Sequence, residues 1–310
     1  MSSFILFLGA RLNWFHHRRY DLRDTEPLAR QPSAEEEETM PGSVVFVGVA
    51  PHPPLLVPEI GGARIENVAC SQLALREFSA RLILAQPDTV VIISPHSPLD
   101  PDAFTARSTL QLEGDFREFY APDVRLSFPN DVAMLGAMRI ASANEGVELR
   151  ELDRHYPLDH GALVPLYYLH EAGWRGPTVV IGFTHQTNEK HLAFGRAIAA
   201  AARSINRRVA LVASGDLSHR LIVGGPYEYE PTAHLFDEQI VDAIERGDSG
   251  DVINIDPDLR TRAGECGYRS IIVALGTVGE ELRDHEVLSY EGPFGVGYMV
   301  AVLADANRDE

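Results

Sequence analysis

Apolar residues in this chain fall into short unbroken runs separated by stretches of helical spacing. The runs at 44–49, 89–94, 178–183 and 208–214 are rich in Val, Ile, Leu and Ala. They are continuous rather than alternating, the pattern of strands covered on both faces. Between them, Val68, Leu73, Leu75, Phe78, Leu82 and Ile83 recur at helical spacing across residues 64–85. Helices are also predicted over 131–145, 161–172, 191–206 and 235–246, and over the apolar segment 269–275. A last pair of strands is expected at 286–290 and 296–303. Strands alternating with helix-length segments predict an α/β fold: a single domain with a central, largely parallel mixed sheet flanked by helices. It should span residues 43–310. Residues 1–42 carry a charge-rich stretch ending in Glu35-Glu36-Glu37-Glu38, read as a disordered or weakly ordered tail because like charges repel. Met40 stands as an alternative start.

Charge narrows the partners. The 310 residues carry 27 Lys and Arg against 45 Asp and Glu, a formal charge of −18. Such a surface argues against nucleic acid and against anionic lipid, both of which call for a basic footprint. No segment reaches the roughly 18–20 apolar residues that span a bilayer. The apolar run at 4–10 is short, with no basic residue before it, so it lacks the layout of a secretory signal, and a cytoplasmic location is expected. Two cysteines far apart, Cys70 and Cys266, exclude a disulfide framework or a cysteine-rich zinc site.

The chemistry lies in the histidines. In open α/β sheets, ligands gather beyond the carboxyl ends of the strands. Three predicted strands run into histidine-bearing turns there: Pro51-His52-Pro53-Pro54, Ser94-Pro95-His96-Ser97-Pro98 and Ser214-Gly215-Asp216-Leu217-Ser218-His219. Proline beside His52 and His96 stiffens the backbone that presents the rings. Asp159-His160-Gly161 and Gly264-Glu265-Cys266-Gly267 are placed to reach the same rim. The chain has no phosphate-cradling glycine loop with its lysine and no Gly-x-Ser-x-Gly elbow. Two imidazoles and a carboxylate on one face of an ion leave open positions for substrate and oxygen, which suits non-haem Fe(II); a zinc hydrolase draws on the same ligand types. If the two Pro-His turns share an ion, the ring nitrogens of His52 and His96 should lie within about 5 Å of each other.

These motifs, in this order, resemble the class III extradiol ring-cleavage dioxygenases, the family of the protocatechuate 4,5-dioxygenase β-subunit, and within it the AmmeMemoRadiSam group that includes Memo. The resemblance covers about residues 44–303. It implies that His52 and His96 bind the metal, that His219 is the acid/base, and that His160 orients substrate or oxygen. In the dioxygenases the third ligand is a glutamate, which Glu265 matches. The Memo branch has a cysteine before a glycine in that place, which Cys266-Gly267 matches. Glu265 is the expected ligand, because hard oxygen donors suit Fe(II) turnover and a thiolate beside oxygen is open to oxidation. The implied activity is Fe(II)-dependent opening of a catechol-type ring with O2, with zinc or another divalent ion as the alternative metal. His219 would take a phenol proton and later return one, as its ordinary pKa allows. Arg220, Arg262 and Arg269 are candidates to hold a substrate carboxylate. The implied partners are a small aromatic substrate and O2, with a homo-oligomer or a small accessory subunit left open. The other function the resemblance offers is a Memo-like metal-binding protein without dioxygenase activity, working with partner proteins in redox signalling or a radical SAM system.

Overall fold

The computed structural model describes residues 42–152, 154–279, 282 and 284–307. The expected tail lies outside them except for Gly42, whose N–H donates to Asn206 Oδ1. The strands are β1 (Ser43–Ala50), β2 (Thr89–Ser94), β3 (Phe104–Ala106), β4 (Gln111–Phe116), β5 (Ala121–Pro129), β6 (Leu149–Glu151), β7 (Thr178–Gly182), β8 (Arg208–Ser214), β9 (Glu286–Glu291) and β10 (Tyr298–Asp305). The helices are α1 (Pro58–Gly61), α2 (Ala69–Leu84), α3 (Val132–Asn144), α4 (His160–Glu171), α5 (Asn188–Ser204), α6 (Ala233–Glu245), α7 (Ser249–Ile253), α8 (Pro257–Ala263) and α9 (Tyr268–Val278).

Eight strands form one sheet in the order β6-β3-β7-β2-β8-β1-β10-β9. The centre is parallel: β7 with β2, β2 with β8, and β8 with β1. β10 and β9 extend one side antiparallel, and β3 joins the other side antiparallel to β7. The fold is therefore the predicted α/β domain with a mostly parallel mixed sheet. Its centre is apolar on both faces, as the unbroken runs required. Val91 and Ile93 of β2 join the core under α3, α5, α6 and α9, while Val90 and Ile92 join the core under α2 and α4.

This topology sets the site. β1, β8 and β2 are neighbours and parallel, so the three histidine-bearing turns leave the sheet at one edge, side by side. Several elements depart from the sequence expectation, among them the short β3, β6, α1, α7 and α8, which were not predicted. The helix predicted from residue 64 begins at Ala69, after a 3-10 turn over Gly62–Val68. The β4–β5 hairpin was not predicted. Its buried residues Leu112, Phe116, Leu126 and Phe128 are spaced among exposed polar ones, and it packs on the α4 face. Among the described residues, no helix is long and apolar enough to cross a membrane.

Candidate metal centre

Three donor atoms converge beyond the sheet edge. His52 Nε2 lies 3.0 Å from His96 Nε2 and 3.6 Å from Cys266 Sγ. The ligand atoms of all three residues fall within 4.8 Å of one another. The donor set suits one ion: bonds of about 2 Å to nitrogens 3.0 Å apart would meet at about a right angle, and a bond of about 2.3 Å to a sulfur 3.6 Å from His52 Nε2 would stand at about 110° to the His52 bond.

A chain of hydrogen bonds fixes which His52 nitrogen faces the ion, and it begins at a proline. Pro165 lies inside α4 and has no N–H for the carbonyl of Gly161, four residues back. The Ser214 hydroxyl donates to that carbonyl instead. With its proton so used, Ser214 Oγ accepts from His52 Nδ1–H, 3.0 Å away. Nε2 is left bare toward His96 and Cys266, the outer-partner arrangement that orients metal-bound imidazoles. Ser214→Ala should therefore keep the fold and weaken metal binding by about 10- to 100-fold, the usual cost of losing such a partner. A chelator competition against the parent protein checks this; unchanged affinity would mean that Ser214 does not set the tautomer.

Cys266 reaches the group because two backbones touch. A Cβ at Gly215 would stand 2.0 Å from Gly267 Cα. Only glycines let the turn after β8 lie flat on the turn before α9, which brings Sγ to the backbone N–H of Asp216 at 3.4 Å. Burial, then the nearby Asp216 charge, raises the Cys266 thiol well above its ordinary value. A coordinated cation reverses this and draws off the proton.

Further polar groups surround the three. Asp216 Oδ1 accepts the His52 backbone N–H at 3.0 Å, and Oδ2 is 3.8 Å from His52 Nε2. The latter is not an ion pair, because burial, followed by the neighbouring His96, holds His52 neutral. Burial also lifts Asp216 to about 6. His219 Nδ1 faces the Leu217 carbonyl at 3.0 Å and donates to it, so its Nε2 is free to accept a proton. Burial lowers the pKa of His219, and it lowers His160 to about 3. The His160 ring sits 4.1 Å from the His96 ring and 5.3 Å from Phe119, while Tyr227 lies 5.0 Å from His219.

His96 is exposed, so its position depends on the backbone below it. There, Asp159 accepts from Ser94 and Ser97, on either side of His96, and caps α4 through the N–H of Ala162. Arg107, which is buried, donates to Asp159, Ser97 and the carbonyls of Tyr156 and Pro157. One ion pair thus ties the His96 turn to the helix that carries His160.

The structure brings His52, His96, His160 and His219 to one rim, with His52 and His96 well inside the expected 5 Å. Glu265 is placed differently. Its Oε2 accepts the Tyr268 N–H at 2.7 Å and its Oε1 lies 3.9 Å from Arg260 Nε. It closes the start of α9 and does not join the converging donor atoms. The carboxylate is drawn to the helix N-terminus, where unpaired N–H groups favour it, while the next side chain points back to the histidines. Of the arginines considered for a substrate carboxylate, Arg220 is engaged by Glu228 and the Arg262 carbonyl, Arg262 by Thr232, and Arg269 lies over Phe183. The sequence reading gave no role to Arg107, Asp216, Phe119 or Tyr227. Asp216 lay inside a motif already singled out. Arg107 follows a three-residue strand with no periodic signal.

Comparison with known proteins identifies the family. Residues 47–301 match the family model described as the catalytic LigB subunit of aromatic ring-opening dioxygenase. The Clostridium acetobutylicum protein CA_C1420 is 31% identical over 267 residues, covering 84% of this chain; the chain spans 57% of that protein's length. Among solved structures, the uncharacterized protein JW3007 of Escherichia coli K12 superposes with a TM-score of 0.58 at 16% identity, covering 83% of this chain and 98% of that one, a likeness of fold. With the family model matched over most of its length, the chain belongs to the LigB family.

Proposed function

We propose that this chain is a Memo-like member of the LigB family: a protein that holds a transition-metal ion on His52, His96 and Cys266 and does not open catechol rings. The observation that carries this reading is that Cys266 Sγ lies with the two imidazoles while the Glu265 carboxylate is turned to α9. Two imidazoles and a thiolate suit iron or zinc, and the thiolate disfavours the all-hard donor set used for oxygen insertion into a catecholate. When bound, the ion supplies Lewis acidity or one-electron chemistry at a partly exposed edge. The chain's own residues do the rest. Ser214 and Asp216 hold His52 in place. His219 Nε2 accepts a proton from a group bound at the open side. His160 stays neutral beside His96. Action together with partner proteins, in redox signalling or a radical SAM system, follows from the same resemblance.

A second reading keeps the ring-cleavage activity, and one observation favours it: His219, with a bare Nε2, lies beside the donor atoms as an acid/base for a bound catechol would, and His160 stands next to His96 where it can orient one. Oxygen uptake separates the two. The protein, loaded anaerobically with Fe(II), should retain iron yet consume oxygen with catechols no faster than free Fe(II). Sustained uptake with a yellow ring-opened product, cut by about 10²–10⁴-fold in His219→Ala as for a positioned proton-transfer group, would establish the dioxygenase instead.

A further inference from the structure

Cys266 belongs to two groups of donor atoms. Beside His52 and His96 on one side, it faces Asp216 and His219 on the other, and the ligand atoms of this second trio also lie within 4.8 Å of one another. Both of its partners are prepared for coordination. His219 Nδ1–H is held by the Leu217 carbonyl, as His52 Nδ1–H is held by Ser214, so each ring keeps an unprotonated Nε2 for an ion. Asp216 is buried at 5% exposure. Its Oδ1 is taken by the His52 N–H, but its Oδ2 receives no hydrogen bond among the described residues and points toward the cluster, 3.8 Å from His52 Nε2.

We infer that the centre has a second metal position, formed by Asp216, His219 and a Cys266 thiolate that bridges both ions. This rests on the reading of His52, His96 and Cys266 as the first position. Shared ligands place such ions about 3.5–4 Å apart, the spacing of two-metal sites. The thiolate and Asp216 bring two negative charges against four positive ones, so the second divalent ion binds more weakly than the first and recruits an anion such as hydroxide or chloride. With one ion bound, His219 is a proton acceptor; with two, it is a ligand.

Cobalt(II) tests this on the metal-free full-length chain, by equilibrium dialysis and by the near-ultraviolet thiolate-to-metal band. The wild type should take up two equivalents, and His219→Ala one, with the thiolate band of the first position retained. Low-temperature electron paramagnetic resonance of the wild type needs no variant: through a bridging thiolate, the second equivalent should diminish the signal of the first. Saturation at one equivalent, a second equivalent retained by His219→Ala, or a signal that doubles would each overturn the bridged second position while leaving the first intact. Failure to bind any cobalt would remove the first position as well.

Discussion

His52→Ala is expected to abolish tight metal binding, lowering affinity by well over 100-fold, since the loss of even an outer hydrogen-bond partner costs about 10- to 100-fold. His52 is the hub of the centre: its Nε2 is the atom from which His96, Cys266 and Asp216 stand at 3.0, 3.6 and 3.8 Å. Its backbone contact with Asp216 survives the substitution, because it is made by the N–H. The fold should therefore persist, and circular dichroism with metal analysis of the purified variant separates the two effects. A variant that keeps a full equivalent of metal would place the ion elsewhere.

Arg107→Ala is expected to lower stability by about 3 kcal/mol or more, as the loss of one partner from a buried pair does, a fall in Tm on the order of 10 °C for a domain of this size. The lower end is appropriate because the Asp159 side chain keeps 14% exposure. Burial alone would raise the Asp159 carboxyl. Arg107, then Ser94, Ser97 and the Ala162 N–H, more than offset this and hold it below the usual carboxylate range. In the parent protein a depressed carboxyl contributes stability above its unfolded pKa of about 3.9 and loses it as pH falls through the folded value. Without Arg107 the largest of those offsets is gone, so the folded carboxyl rises and the stability that it adds above about pH 4 shrinks. Urea unfolding should show the deficit of the variant largest near neutrality and smaller near pH 4. The metal site should weaken with it, since the same pair secures the His96 turn.

The sheet was legible because its central strands are buried on both faces and therefore read as unbroken apolar runs. β3 and β6, three residues each, are too short to show a period. The β4–β5 hairpin is wetted on one side, and its apolar residues are interrupted by Glu113, Asp115 and Arg125. Its turn brings Phe119 to His160, so that wall of the site was hidden too. The histidines were legible because each follows a strand whose direction the parallel sheet fixes. The choice between Glu265 and Cys266 was not. Adjacent residues in a turn point to opposite sides, and which side faces the metal depends on the contact of Gly215 with Gly267, 52 positions apart in sequence. The outcome of Pro165 was equally out of reach. A proline in a helix announces a carbonyl without its helical donor, but only the packing of α4 on β8 supplies Ser214 to fill it.

The central claim is that sulfur from Cys266, and not oxygen from Glu265, completes the centre. X-ray absorption at the K edge of an iron or zinc ion bound at one equivalent reads this directly. The expected result is one sulfur scatterer at about 2.3 Å beside nitrogen and oxygen at about 2.0–2.2 Å, lost in Cys266→Ser and unchanged in Glu265→Gln. A shell of nitrogen and oxygen alone, altered by Glu265→Gln and indifferent to Cys266→Ser, would contradict it.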